Sequence, residues 1–392
     1  VSDAASENES LLSGYEGRLL VAVSIGWLAI QGGRLVLSPM LPEIKADVGM
    51  SDTQAGIAFT VIWGLYALLQ YPSGRLSDVL SRKLLLVAGL GLVSVGFVVL
   101  GSAGGYPVFL GGAAVIGVGA GLYPTAARAL VSDLFVERRG QAFGLHTASG
   151  DLGGVSAAGL AAVVLAVAAW RVVYVPVVLA VLAVAVVLHV WVREEYAVGR
   201  ADLAVRATVQ RLVGTPTVRR LLVAYALYAF VWQAATGFLP TYLEQGKHLP
   251  SWVATASFAL LFGVGVLVKP VAGSVSDRIP REVLAPAVSG VGAVALVAVV
   301  LADSNVTVLA ATTVFAAGLM AFPPVMQAYL MDTFPAASAG GDLGATRSVY
   351  IGLGSLGTTY VGAVADLVSY RLAFLGLAAM LAVSAVTVAT TR

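Results

Sequence analysis

The sequence predicts an all-α membrane protein of twelve transmembrane helices, in two six-helix bundles related by an internal repeat, with both termini cytoplasmic. Three observations predict it: the apolar composition, a regular succession of helix-length apolar segments, and a residue pattern that returns in the second half at a nearly constant offset. Of the 392 residues 59% are apolar before the 44 glycines are added, only 11% are charged, and mean hydropathy is +0.91. A soluble domain reaches roughly 45 to 50% apolar with glycine included. In lipid the backbone must satisfy its own hydrogen bonds, and one helical span takes about 20 apolar residues. Strand-like alternation is absent, so the apolar segments are read as helices.

Segments bounded by charge, proline or glycine set the spans in order. In the first half they are 19–41, 54–73, 84–103, 107–130, 141–166 and 171–192. The polar stretch REEYAVGRADLAVRATVQRLVGTPTVRR follows, too short for a domain. The second half holds 218–241, 253–272, 284–302, 306–331, 344–365 and 371–391. The organisation read from this is an N-terminal bundle at 1–192, a cytoplasmic linker at 193–217 and a C-terminal bundle at 218–392. Lysine and arginine concentrate in alternate connections: Arg75, Arg82 and Lys83, Arg138 and Arg139, the linker arginines, then Arg278 and Arg281. The positive-inside rule places these connections, and both termini, in the cytoplasm. The opening VSDAASENES lacks a basic start and a cleavage site, so no signal peptide is read there.

At an offset of 199 residues Gly74, Ser77, Asp78 and Arg82 meet Gly273, Ser276, Asp277 and Arg281. At the same offset YPTAARALVSDLF (123–135) meets FPPVMQAYLMDTF (322–334), pairing Pro124 with Pro323 and Asp133 with Asp332. At 200 residues Arg171 meets Arg371. Chance matches among glycines are common in such helices, but charges and prolines holding one offset across several spans are not.

The pattern G-x-x-S-D-x-x-x-R after span 2, repeated after span 8, resembles the signature loop of the major facilitator superfamily. The loop departs from the usual family pattern at Val79 and Ser81. The resemblance implies two bundles that rock about a central substrate site, and a gating role for Gly74, Asp78, Arg82, Asp133, Gly273, Asp277, Arg281 and Asp332. It implies that Asp78 helps latch the cytoplasmic side shut; on physical grounds the helix start near Gly340 to Leu343 offers that carboxylate a positive dipole end.

An ionisable side chain deep in a span costs roughly 2.5 to 3.5 kcal/mol and is a functional candidate by default. Arg34, Arg128, Lys269 and Arg347 are the deep cations, with Asp151 and His146 the other ionisable residues. Helical spacing puts Trp27, Gln31, Arg34 and Ser38 on one stripe of span 1, and Tyr225, Tyr228, Trp232 and Thr236 on one stripe of span 7. Gln233, the repeat mate of Arg34, and Tyr350 complete the substrate-binding candidates, which are Arg34, Gln31, Arg128, Lys269, Arg347, Tyr228, Trp232, Gln233 and Tyr350. Asp151 and His146 are the proton-coupling candidates, although a spacing of five residues sets them about 140° apart around the helix. Structural readings stand beside these: Arg128 and Lys269 near span ends can snorkel, Arg347 can pair with Asp342, and Asp151 is either a proton site or an ion-pair partner, whereas Arg34 is too deep to snorkel easily.

Four candidate cations against one deep carboxylate predict an electropositive cavity and an anionic ligand, because guanidinium groups recognise carboxylate and phosphate bidentately. In these charges the chain resembles the organic-anion carriers of the superfamily: the anion symporters, the organophosphate exchangers and the oxalate and formate exchangers. Without a G-x-x-x-x-G-K-[ST] loop the transport expected is secondary. The expectation is a monomeric, multi-pass plasma-membrane carrier of a small organic anion, coupled to protons or working by exchange, and not an enzyme. No cofactor, metal or nucleic-acid partner is expected: the three histidines form no ligand motif and the arginines no stripe. Two alternatives stand beside it: export of amphipathic drugs or lipids, and a transporter-like receptor or scaffold without flux.

Overall fold

A computed structural model describes residues 10–77, 80–197, 210, 212, 214–334 and 339–391, the side chains of residues 75, 339 and 340 excepted. Asp78 and most of the 193–217 linker lie outside the described residues. The helices are α1 (Gly14–Leu35), α2 (Leu41–Val48), α3 (Asp52–Leu76), α4 (Arg82–Gly101), α5 (Tyr106–Leu134), α6 (Arg139–Val167) and α7 (Tyr174–Trp191). The second half continues with α8 (Pro216–Thr241), α9 (Ser251–Ser276), α10 (Arg281–Leu301), α11 (Asn305–Thr333), α12 (Ala339–Leu367) and α13 (Tyr370–Ala389). Ten of these segments are long and apolar enough to cross a membrane. The polar stripe of α1 and the glycine- and threonine-rich α12 leave those two outside that ten.

Helix starts follow the local chemistry. Ser51 and Gln54 form a capping box at α3, Ser304 and Thr307 another at α11, and Ser81 and Ser369 cap α4 and α13. The first span differs from the 19–41 expected. It begins earlier, at Gly14, and breaks after Leu35, because Pro39 disfavours helix at Ser38 and Pro42 starts a new one. The short α2 closes on Gly49, whose φ of 68° is left-handed backbone that suits glycine.

Packing repeats between the halves. Helix α1 packs on α6 and α7 as α8 packs on α12 and α13; α5 lies between α3 and α4 as α11 lies between α9 and α10. The halves meet along two seams, α3 with α12 and α6 with α9, which the repeat exchanges. Tyr15 beside Arg193 and Arg220 beside Thr390 mark the end of the molecule that holds the outer ends of α1, α7, α8 and α13, here called the termini end.

At the opposite, distal end the bundles are bonded together. Lys45 pairs with Asp52 and donates to Gln245 at 3.1 Å, and Tyr370 donates to Asp52. Asp366 accepts from the Thr53 backbone N–H at 2.8 Å and from its hydroxyl at 2.6 Å. Deeper in the same seam Thr60 donates to the Ser355 carbonyl at 2.7 Å and meets Thr358 and Thr359 at 2.9 and 2.7 Å. Such approach needs glycine: a Cβ on Gly362 would strike the Asp52 carbonyl, and one on Gly56 the Thr358 carbonyl. Gly362→Val is therefore expected to hold this end apart. Overpacking of this kind costs about 1 to 3 kcal/mol, so a cysteine placed at Thr60 should react about tenfold faster with a water-soluble maleimide in the Gly362→Val background. The chain has no cysteine of its own to confuse the readout.

A second distal clasp lies within the first half. Trp170 donates to Asp47 at 3.0 Å, Arg171 pairs with Asp47, and Arg171 also donates to the Ala103 carbonyl at 2.6 Å. These hydrogen bonds, Trp170 first, hold the exposed Asp47 carboxyl below the usual carboxylate range. A depressed folded value contributes stability that is present above the ordinary aspartate pKa of about 4 and is lost as pH falls through the lower folded one. Thermal midpoints of wild type and Asp47→Asn should differ at neutral pH and converge as the medium is taken below about pH 4.

Candidate functional site

Halfway along the bundles α1, α3, α5, α6, α8, α9 and α12 bring polar residues together. Arg34 is 3% exposed, although it stands in the last turn of α1. Its depth comes from the neighbours: the guanidinium lies 4.4 Å over the Trp63 ring and 4.7 Å over Tyr66, both near the middle of α3, with Trp27 at 5.8 Å. Arg34 Nη2 donates to Gln31 Oε1, one turn back on α1. Its Nε and Nη1 have no hydrogen-bond partner among the described residues. Cation–π contact offsets part of the cost of burying the charge, but two N–H donors remain uncommitted. A small cavity lies against this group, bounded by Ser38, Phe59, Ile62, Trp63 and Thr236.

The Tyr66 hydroxyl lies beside Arg347, so one phenol separates the guanidinium groups of α1 and α12. Arg347 Nε also lacks a partner among the described residues. Arg128, half-buried on α5, donates through Nε to the Pro124 carbonyl at 3.0 Å and through Nη2 to Gln70 Oε1 at 3.4 Å. Gln70 is oriented in turn by its Nε2 donating to the Gly121 carbonyl at 3.4 Å.

Lys269 behaves differently from the other cations. Its Nζ donates to both Asp151 oxygens, at 2.6 and 2.8 Å, across the α6–α9 seam. This corrects the expected tally of four cations facing one carboxylate: Asp151 matches the Lys269 charge, which leaves Arg34, Arg128 and Arg347 as the cationic cluster. It also joins a residue expected to bind substrate to one expected to move protons. His146 faces elsewhere, 6.3 Å from Trp27 between ring centroids, with Nδ1 unpartnered among the described residues.

The remaining candidates form the wall from the second half. Tyr350 stacks on Tyr225 at 3.8 Å, and Tyr228 stacks on Phe322 at 4.5 Å with its buried hydroxyl unpartnered among the described residues. Trp232 meets Trp63 edge-on at 5.4 Å across the two halves. Gln233 Nε2 donates to the Ile351 carbonyl at 2.9 Å, which spends one end of the amide on packing α8 against α12 and leaves Oε1 unpartnered among the described residues. Trp63 is the wall residue that sequence reasoning misses, while Tyr66 is legible as a source of hydrogen bonds and apolar wall and Gln70 as the hydrogen-bonding repeat mate of Lys269. Their spacing of three and four residues along α3 carries the same stripe signal that marks α1.

The described residues of the two signature loops, with the acids they pair to, sit at the termini end, away from this cluster. Arg82 bonds Asp133 at 2.6 Å and reaches Glu194 at 3.5 Å. In the second half Arg281 pairs with Asp332 and lies 3.8 Å from Asp277. Each pair joins the start of one helix to the end of another inside its own bundle. Asp133, five residues beyond Arg128 on α5, is thus engaged by Arg82.

The sequence profile of the Major Facilitator Superfamily matches residues 23–358. A segment of 139 residues is 30% identical to the probable sulfoacetate transporter SauU of Cupriavidus necator, covering 35% of this chain and 32% of that protein. Another of 154 residues is 36% identical to the puromycin resistance protein pur8 of Streptomyces alboniger, covering 37% of this chain and 28% of that one. The matched segments thus span about a third of these relatives' length. Among solved structures, a bacterial homolog of the human lysosomal transporter Spinster, inward-facing and unoccupied, superposes with a TM-score of 0.84 at 17% identity over 97% of both chains. A D-xylose–proton symporter superposes at 0.77 with 14% identity, over 96% of this chain and 97% of that one. At these identities the likeness is one of fold.

Proposed function

This chain belongs to the major facilitator superfamily and is a transporter rather than an enzyme, and from that premise we propose that it moves a small organic anion, a carboxylate, sulfonate or phosphate ester, by alternating access. The observation that carries the reading is the Arg34 guanidinium, buried with two N–H donors uncommitted beside the Tyr66 and Arg347 pair. Buried donors are ordinarily satisfied, and planar oxyanions match the guanidinium fork. A ligand with one or two negative charges would offset the three arginines as the bundles close over it. The similarity to a protein named as a sulfoacetate transporter supports the same ligand chemistry.

In this reading all twelve long helices span the plasma membrane, residues 1–192 and 218–392 are the two bundles of a monomer, and the termini end is cytoplasmic. The bonded distal seam is then the outer gate, shut in this conformation. The Arg82 to Asp133 and Arg281 to Asp332 pairs, with Gly74, Asp78, Gly273 and Asp277, serve the inner gate. Coupling to protons runs through the Asp151 and Lys269 pair, with His146 a lesser candidate, since a carboxyl that takes up a proton releases the lysine. The test is flux into proteoliposomes across a panel of carboxylates, sulfonates, phosphate esters and inorganic oxyanions, with and without a pH gradient. Accumulation of one of these classes is the expected result. A second reading, drug export, rests on the similarity to a puromycin resistance protein and on the aromatic wall of Trp63, Trp232 and Phe262. Binding of a lipophilic cation by a protein indifferent to every anion would put that reading first.

A further inference from the structure

Far from the central cluster, a pocket of about 390 Å³ opens at the termini end between the start of α1 and the end of α7. Its lining is Gly14, Tyr15, Arg18, Leu19, Trp191 and Arg193. The Arg193 guanidinium lies 4.3 Å over the Tyr15 ring, and the Arg193 backbone N–H donates to the Tyr15 hydroxyl at 3.2 Å. Arg18, one helical turn after Tyr15 and exposed, makes no hydrogen bond or ion pair among the described residues. The nearest acid in sequence to Arg193, Glu194, is turned away: it accepts from the Lys83 backbone at 3.1 Å and lies 3.5 Å from Arg82. Glu16 and Glu195 are exposed and do not line the pocket.

Two guanidinium groups lining one pocket, that of Arg193 over the Tyr15 ring, suit a phosphodiester, which each can grip through parallel N–H donors. The position suits a lipid. Trp191 and Tyr15 stand where a spanning helix meets the headgroup layer, the level at which such amphipathic rings settle. Below the pocket α7 presents Val190, Val186, Leu182 and Leu179 outward, an exposed apolar strip at helical spacing that an acyl chain can follow. We propose that this pocket binds the headgroup of an anionic phospholipid from the leaflet on the termini side, clamped between Arg18 and Arg193.

The test uses the full-length protein in detergent, with retained lipid counted by native mass spectrometry after exposure to equal amounts of phosphatidylglycerol and phosphatidylcholine. Wild type should keep phosphatidylglycerol in preference. A basic residue near an anionic surface contributes on the order of fivefold, so Arg18→Gln should lose about fivefold and the double variant with Arg193→Gln about 25-fold. Arg18→Gln breaks no hydrogen bond or ion pair among the described residues, so a loss of lipid in this variant reads the pocket and not the fold. Arg220→Gln, at the same end but bonded to the Thr390 carbonyl at 2.8 Å, should keep wild-type retention. Glycerol 3-phosphate in solution at millimolar concentration should leave the lipid in place. Equal retention of both lipids, wild-type retention by the double variant, an equal loss in Arg220→Gln, or displacement by glycerol 3-phosphate would each overturn the proposal.

Discussion

Arg34→Ala is expected to lower flux of the transported anion by at least about 100-fold. A hydrogen bond to a charged group contributes roughly 1.5 to 3 kcal/mol, and Arg34 holds two donors free for such bonds, so their joint loss exceeds a factor of about 100 in binding. The alanine also removes the charge that an incoming anion offsets. Arg34→Lys separates the two contributions. It keeps the charge near Trp63 and Tyr66 but not the planar fork, and should recover binding only in part. Isothermal titration with the substrate found in the flux panel reads both variants. Undiminished flux in Arg34→Ala would remove the central assignment, whatever else the protein carries.

The second large effect is expected at Asp151 and Lys269. Their bond crosses the α6–α9 seam with side-chain exposures of 10% and 26%, so each partner is held away from bulk water and relies on the other. Removing one leaves a poorly hydrated charge, a cost of about 1 to 3 kcal/mol for a group left unpaired in a partly exposed site. Asp151→Asn and Lys269→Met should each lower the thermal midpoint and depress flux. The double variant, with neither charge, should regain much of the stability of wild type, because replacing both partners is far less costly than orphaning one. Proton coupling makes a separate demand on flux. If protons pass through this pair, the double variant still exchanges anion for anion but no longer responds to an imposed pH gradient. Uptake by Asp151→Asn that remained driven by the gradient would exclude Asp151 as the proton site.

Much of the architecture is legible in the sequence because the bilayer constrains it directly. Helix-length apolar runs, the polar division after residue 192 and the offset linking Arg82 and Asp133 to Arg281 and Asp332 are properties of the chain read in one dimension. The two repeat-related ion pairs duly hold the same place in each bundle. The break after Leu35 is less visible, since 36–41 is as apolar as the helix before it and only Pro39 and Pro42 mark the turn. The candidate site is legible as residue types on stripes, each stripe belonging to one helix.

Which stripes face one another is another matter. Sequence spacing puts Asp151 deep in one span and Lys269 near the end of another, but does not show that they meet, because the 118 residues between them carry no periodic signal of the contact. The same holds for the aromatic setting of Arg34: Trp63 and Tyr66 come from α3, and only the packing of α1 against its neighbours lays the guanidinium over their rings. The sequence by itself determined the membrane class, the repeat and the surplus of deep positive charge, since burial in lipid penalises charge residue by residue. Tertiary structure alone decided which cations are matched and which keep free donors, since an ion pair depends on two side chains arriving within about 3 Å of each other from different helices.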